Sequence, residues 1–448
     1  MQKKWACFLT EFGEGLLSAA AVILLHYLFY SEDRQMNCGS KPWPGLPQTR
    51  MLVVALTIAG LTVSGCDKVE GLVEDGKSLV NGDEAPANAT PAEAPTTMSP
   101  PIATTPEKVV PAGPTPEQIV DQFRALRPDQ ISDGVLAQLA GSPEAAMAIT
   151  EIDMRGAQVS ANGLNALSTL PNLESLNISN SRVAADSLAM IGKSQSLKSI
   201  NLANSDTNDR VVSELSQIPH LQSLDLSSTQ VTGGSATGLG AMRELTELSL
   251  MGTSADDQLV TGLVSLPLRK LDLSKSRITT ASLPLILKIS TLESLNVSFC
   301  AVKGDGFKGI GKSDIRELNV GETQFGREGF KAIKGMKSLE RLNVYAAGLI
   351  QHTDCNVFKT FPKLKWMNAG KNGVGDPGMG LFFKGHKTLE ELELQHNKGI
   401  TDNGLAALIG VKTLKLLDVS GTSCGAAGGQ ALKAKLPECT IRTPAGVF

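Results

Sequence analysis

His352, Thr353, Asp354 and Cys355 place a base, a carboxylate and a thiol within four consecutive residues, the side-chain types that nucleophilic catalysis or metal binding draws on. Neighbours in sequence become a site only when a fitting motif or a further group supports them, and none does here. No G-x-x-x-x-G-K-[ST], G-x-S-x-G, H-E-x-x-H or G-x-G-x-x-G stands in a strand-to-helix context, and the seven cysteines form no C-x-x-C pair. No catalytic centre, metal or cofactor is expected, and an enzyme using His352 and Cys355 is the last of three alternatives. Cys300 and Cys439 fall at inward positions of the repeat described below and read as small buried hydrophobes.

Another thiol has a chemical context. Met51 to Gly65 is an apolar run of secretory-signal length behind Lys41 and Arg50, and it leads directly into Cys66. Leu61-Thr62-Val63-Ser64-Gly65-Cys66 resembles the lipobox of bacterial lipoproteins. That resemblance implies cleavage before Cys66, lipidation of its thiol and attachment to a membrane of the bacterial cell envelope. An earlier apolar stretch, Leu16 to Tyr30, is too short to span a bilayer as a helix. Residues 1–35 therefore read as an N-terminal extension or an over-extended start, and 36–65 as the signal peptide. Residues 66–115 read as a disordered tether, because nine prolines between Pro86 and Pro116, among Ala, Thr and Glu, leave too little apolar surface to fold.

The remaining chain is repetitive. L-x-x-L-x-L recurs from Ile149-Ile152-Met154 through Leu173-Leu176-Ile178 to Leu436-Cys439-Ile441, thirteen copies 22 to 25 residues apart. This pattern resembles the leucine-rich repeat, and the resemblance implies an α/β solenoid with a curved parallel sheet on the concave side and short helices on the convex side. Apolar residues at helical spacing in the return segments, such as Ile278, Leu283 and Ile286, liken it to the ribonuclease-inhibitor-like and F-box-associated classes. The ninth repeat position departs from the asparagine or cysteine of such families. It is mostly Ser or Thr, with Asn only at Asn372 and Asn397. A helical N-terminal cap is expected over 116–148, its start marked by Thr115-Pro116-Glu117-Gln118, with repeats over 149–435, a possible capping residue in Thr401-Asp402-Asn403-Gly404-Leu405, and a closing strand and tail over 436–448.

Composition agrees with thin, repeated layers. Residues of the AVILMFWYC set are 42% and aromatics 4%, and 42 Lys plus Arg against 45 Asp plus Glu give a formal charge of -3. A near-neutral chain is not built to neutralise a nucleic-acid backbone, so nucleic acid is not an expected partner.

Alternation within each strand then names a candidate surface. The outward position between the last two apolar residues reads Asn177, Asn201, Asp225, Ser249, Asp272, Asn296, Asn319, Asn343, Asn368, Glu393 and Asp418. This column is open to two readings, lateral hydrogen bonding on a solvated sheet or contact with a ligand. Trp366 and Tyr345 are the only Trp and Tyr after Cys66, and both are expected at concave positions on neighbouring strands. Arg341, Trp366 and Glu391 share one column. Trp366 is either an interface anchor or a ring lying over the Lys365 or Arg341 stem. The candidate binding surface is thus Arg341, Asn343, Tyr345, Trp366, Asn368, Glu391 and Glu393, and the expected function is a non-enzymatic, membrane-tethered module binding a protein or peptide. The alternative is an envelope spacer or adhesion element without a specific ligand.

Overall fold

The computed structural model describes residues 113–348, 358 and 361–448. The chain divides into two units, Met1–Ala103 and Thr104–Phe448, and the described residues belong to the second. Cys66, the expected signal and the His352 to Cys355 cluster lie outside the described residues.

Every copy of the repeat supplies one short strand. In chain order these are β1 (Glu151–Asp153), β2 (Ser175–Asn177), β3 (Ser199–Asn201), β4 (Ser223–Asp225), β5 (Glu247–Ser249), β6 (Lys270–Asp272) and β7 (Ser294–Asn296). They continue as β8 (Glu317–Asn319), β9 (Arg341–Asn343), β10 (Trp366–Asn368), β11 (Glu391–Glu393), β12 (Leu416–Asp418) and β13 (Thr440–Thr443). Each pairs in parallel with the next, in sequence order throughout. Their middle residues, from Ile152, Leu176 and Ile200 to Leu417 and Ile441, are buried side by side, while the residues on either side face outward. A fully buried Leu contributes about 2 kcal/mol, and the same gain recurs in each layer. Where only a closing strand and tail were expected, β14 (Gly446–Val447) turns back antiparallel onto β13.

Short α-helices and 3-10 turns return the chain, as expected. Ile278, Leu283 and Ile286, like Ile400, Leu405 and Leu408, are buried against the sheet. Thr401 caps the helix Asp402–Leu405 by accepting from the Asn403 N–H at 3.2 Å. Consecutive return segments are joined by carboxylates at helix starts. Asp376 accepts from the Thr401 N–H and hydroxyl at 2.8 and 2.6 Å, Asp209 binds Thr232 and Ser235, and Asp257 binds Thr279 and Ser282.

A second inter-repeat device sits at the ninth position. Ser205, Thr229, Thr253, Ser276, Thr323 and Thr422 each donate to the carbonyl three residues back, within their own repeat. Asn372 and Asn397 do more. The Asn397 amide donates to Leu394 O in its own repeat and to Ala369 O in the preceding one, and its Oδ1 accepts from the Asn372 and Val374 N–H groups. Hydroxyls therefore close one turn, whereas asparagine has enough donors and acceptors to fasten two.

Three helices precede β1: Pro116–Arg124, Asp133–Ala140 and Pro143–Met147. The first begins at the expected helix start, with a capping box between Thr115 and Gln118, and the third, five residues long, has no periodicity that would reveal it in the sequence. Phe123, Leu136, Leu139 and Ala145 join the same core as Ile149 and Ile152. Among the described residues no helix is long and apolar enough to cross a membrane.

Candidate functional site

The outward Asn and Asp column lies at the third residue of each strand. In nine repeats its Oδ1 accepts the backbone N–H two residues on, at 2.8 to 3.1 Å: Asn177, Asn201, Asp225, Asp272, Asn296, Asn319, Asn343, Asn368 and Asp418. This is an Asx turn, and it delivers the following residue into the left-handed region. Asn180, Asn204, Ser228, Lys275, Phe299, Glu322, Ala346 and Lys371, with Gly421, follow these turns with φ between 48° and 68°; Gly252 and His396 are left-handed too, at 71° and 60°, although Ser249 and Glu393 make no such bond. The recurrence of Asn and Asp thus serves the backbone turn, which the Ser249 and Glu393 repeats form without it. Lateral bonding is confined to particular pairs, such as Asn296 Nδ2 to Asp272 Oδ2 at 2.9 Å. Asn343 and Asn368, both named as candidate binding residues, spend their Oδ1 atoms on the chain itself.

The first strand position has no such duty and, after Ser175 and Ser199, varies among five side-chain types over eight repeats: Ser223, Glu247, Lys270, Ser294, Glu317, Arg341, Trp366, Glu391. All of these except Glu391 line an open cleft of about 480 Å³ on the sheet face, running from β4 to Trp366 on β10, together with third-position residues such as Asp225 and Asn319. Glu247, Lys270 and Glu317 were missed in the sequence, where attention rested on the column that repeats. The available signal was the opposite one: within a regular array, the outward position that changes from repeat to repeat is free of structural duty.

Strand register brings Arg341, Trp366 and Glu391 into one row, as expected. The Arg341 guanidinium carbon lies 4.6 Å from the centre of the Trp366 ring, within cation–π range. The indole N–H donates to Glu393 Oε1 at 3.1 Å, and Glu393 Oε2 accepts from Asn368 Nδ2 at 2.9 Å and Gln395 Nε2 at 3.0 Å. Glu393 replaces the Asn or Asp of its column, and its longer side chain reaches across to Trp366. The ring is therefore held from two sides and remains half-buried.

Tyr345 departs from the expectation. It lies beyond β9 in the Asx turn, not at a strand position, because Asn343 bonds its N–H and turns the chain there. Its ring rests over Gly370 of the next repeat, close enough that a Cβ at 370 would crowd it.

Charges along the neighbouring edge, one residue before each strand, are paired: Glu174 with Lys198 at 2.7 Å, Arg269 with Glu293 at 2.5 Å, Glu340 with Lys365 at 3.0 Å and Glu390 with Lys415 at 2.6 Å. Within the cleft row Lys270 pairs with Glu247 at 2.7 Å, and this bond raises the Lys270 pKa. Glu317 accepts the Ser294 hydroxyl at 3.1 Å and lies near enough to Lys270 to feel its charge. Arg341 contacts the Trp366 ring, and neither Arg341 nor Glu391 has an ion-pair partner among the described residues.

Cys300, Cys424 and Cys439 are free and buried, as read for the first and last. Burial pushes the Cys439 thiol up to about 11, away from nucleophilic thiolate chemistry. Among the described residues no group of His, Cys, Asp and Glu could hold a metal ion.

A family described as Leucine Rich repeat matches residues 217–240, 288–311 and 385–408. An internalin, InlF of Listeria monocytogenes, is similar in structure at a TM-score of 0.52 and 16% identity, covering 72% of this chain and 96% of that one. A chain of the yeast Rad7 and Elc1 complex is similar at a TM-score of 0.50 and 16% identity, covering 73% of this chain and 85% of that one. No curated protein sequence is significantly similar to this chain. At such identities the likeness concerns the fold, which is a leucine-rich repeat solenoid.

Proposed function

We propose that this leucine-rich repeat solenoid is a non-enzymatic recognition module of the bacterial cell envelope, lipid-anchored through Cys66 and binding a protein or peptide on its open sheet face. The observation that carries the reading is the first-position row, whose varied side chains have no backbone duty and line the cleft ending at Trp366. An aromatic ring held by Arg341 and Glu393 is presented without further ordering cost, which is how interface anchors gain affinity. One similar structure, from the Rad7 and Elc1 complex, contains a protein partner, in keeping with this use of the fold. The short helices of the return segments support kinship with the ribonuclease-inhibitor-like class, and the three leading helices support a cap over the first repeat.

Replacing Trp366 and Tyr345 together with Ala should leave the circular dichroism spectrum unchanged and abolish capture of the partner from envelope extracts. Unchanged capture would remove the face from consideration. The rival reading, a spacer without a ligand, gains from the Asn and Asp column being spent on the backbone, but it offers no reason for unpaired charges around Trp366. For the anchor, metabolic labelling with a fatty acid should mark the wild type and not Cys66→Ala; label on the variant would refute lipidation at that thiol.

A further inference from the structure

The edge row and the cleft row differ in one respect that bears on the occupant. Strand pairing brings opposite charges side by side along the edge, and they neutralise one another. In the cleft, adjacent strands bring Glu317 beside Arg341, the arrangement that would form a cross-strand ion pair. The pair is not made, because Arg341 turns to the Trp366 ring on its other side. Glu317 and Arg341 are thereby left without each other's charge, and Glu391, on β11 just beyond the end of the cleft, continues the row as a negative charge with Trp366 between it and Arg341.

We infer that the cleft and the adjoining Glu391 take an extended protein segment whose side chains run basic, acidic, basic at alternate residues, the acidic one meeting Arg341 and the basic ones meeting Glu317 and Glu391. Spacing supports the match. Glu317 and Glu391 are three strands apart, about 14 Å at the ~4.8 Å strand separation, and residues i and i+4 of an extended chain are about 13 Å apart on one face. Such a segment lies across the strands along the cleft. The inference rests on the proposed recognition face and adds the chemistry of its partner.

The probes are two synthetic peptides of equal length, one with a Lys-Xaa-Glu-Xaa-Lys core and the other with Glu-Xaa-Lys-Xaa-Glu, apolar Xaa being identical in both. Fluorescence anisotropy at low ionic strength should show the first bound at least about tenfold more tightly. The preference should invert in the triple variant Glu317→Lys, Arg341→Glu, Glu391→Lys, whose changes lie on the outer face of the sheet and spare the core. Reversing the edge pair Glu174 and Lys198 should leave the preference as it was. Equal affinities, no binding of either peptide, or an unaltered preference in the triple variant would each overturn the inference. If both peptides bind equally and Trp366→Ala abolishes both, the face survives as a recognition surface and only the charge pattern falls.

Discussion

Phe299 occupies a position that favours glycine. Its φ is 59°, its side chain is 56% exposed, and the equivalent residues two repeats earlier and five later are Gly252 and Gly421. A bulky residue in this region costs about 1 kcal/mol or more, offset in part by Lys275 Nζ lying 5.5 Å from the ring centre. Phe299→Gly should therefore raise stability, by about 0.5 kcal/mol after the added freedom of glycine in the unfolded chain, read as a higher urea midpoint. A lower midpoint would mean that the ring packs more than its exposure indicates. Residues of this kind were not legible beforehand. The sequence shows that Phe299 follows a strand; only the folded turn shows that its backbone is left-handed.

At the scale of elements, helix-start carboxylates tie one return segment to the next. Burial pushes the Asp257 carboxyl up, but hydrogen bonds from the Ser282 and Thr279 hydroxyls and the Thr279 N–H outweigh it, and its pKa falls below the ordinary 3.8. Asp209 behaves likewise, with burial opposed by Ser235 and Thr232. A carboxyl with a lowered native pKa adds stability above its unfolded value and loses it as pH falls through the native one. Thermal unfolding followed from pH 7 into acid should show the wild type losing stability below about pH 4. Asp257→Asn should be less stable at neutral pH by about 1 kcal/mol and show a shallower acid loss; equal slopes would leave Asp257 out of the acid response. Strands, return helices and the helix start at Thr115 were readable from spacing and residue type. The five-residue helix Pro143–Met147 and β14 were not, being too short to carry a period and formed by packing on neighbours.

Across the whole molecule, contacts run between adjacent repeats, so stability is close to a sum of layers and interfaces. Asn397 fastens two layers with four buried hydrogen bonds. Asn397→Ala leaves backbone groups in both without partners and should cost about 3 kcal/mol, with Asn397→Thr falling between. Hydrogen exchange should show protection lost around β10 to β12 and retained around β2 to β6. Uniform loss along the chain would mean that the array melts as one unit. The thirteen copies of L-x-x-L-x-L were enough to determine the solenoid, its period and the inward side of every strand, because burial of a repeated apolar pattern admits one stacking. The candidate row of Arg341, Trp366 and Glu391 was readable in the same way, since register follows from period. What only the tertiary structure decided is which outward polar groups are free. The N–H that occupies Asn343, the carbonyls that Asn397 reaches and the ring that draws Arg341 from Glu317 take their positions from the turns and the stacking of successive repeats. Hydrogen-bonding capacity is therefore assigned only once those repeats pack.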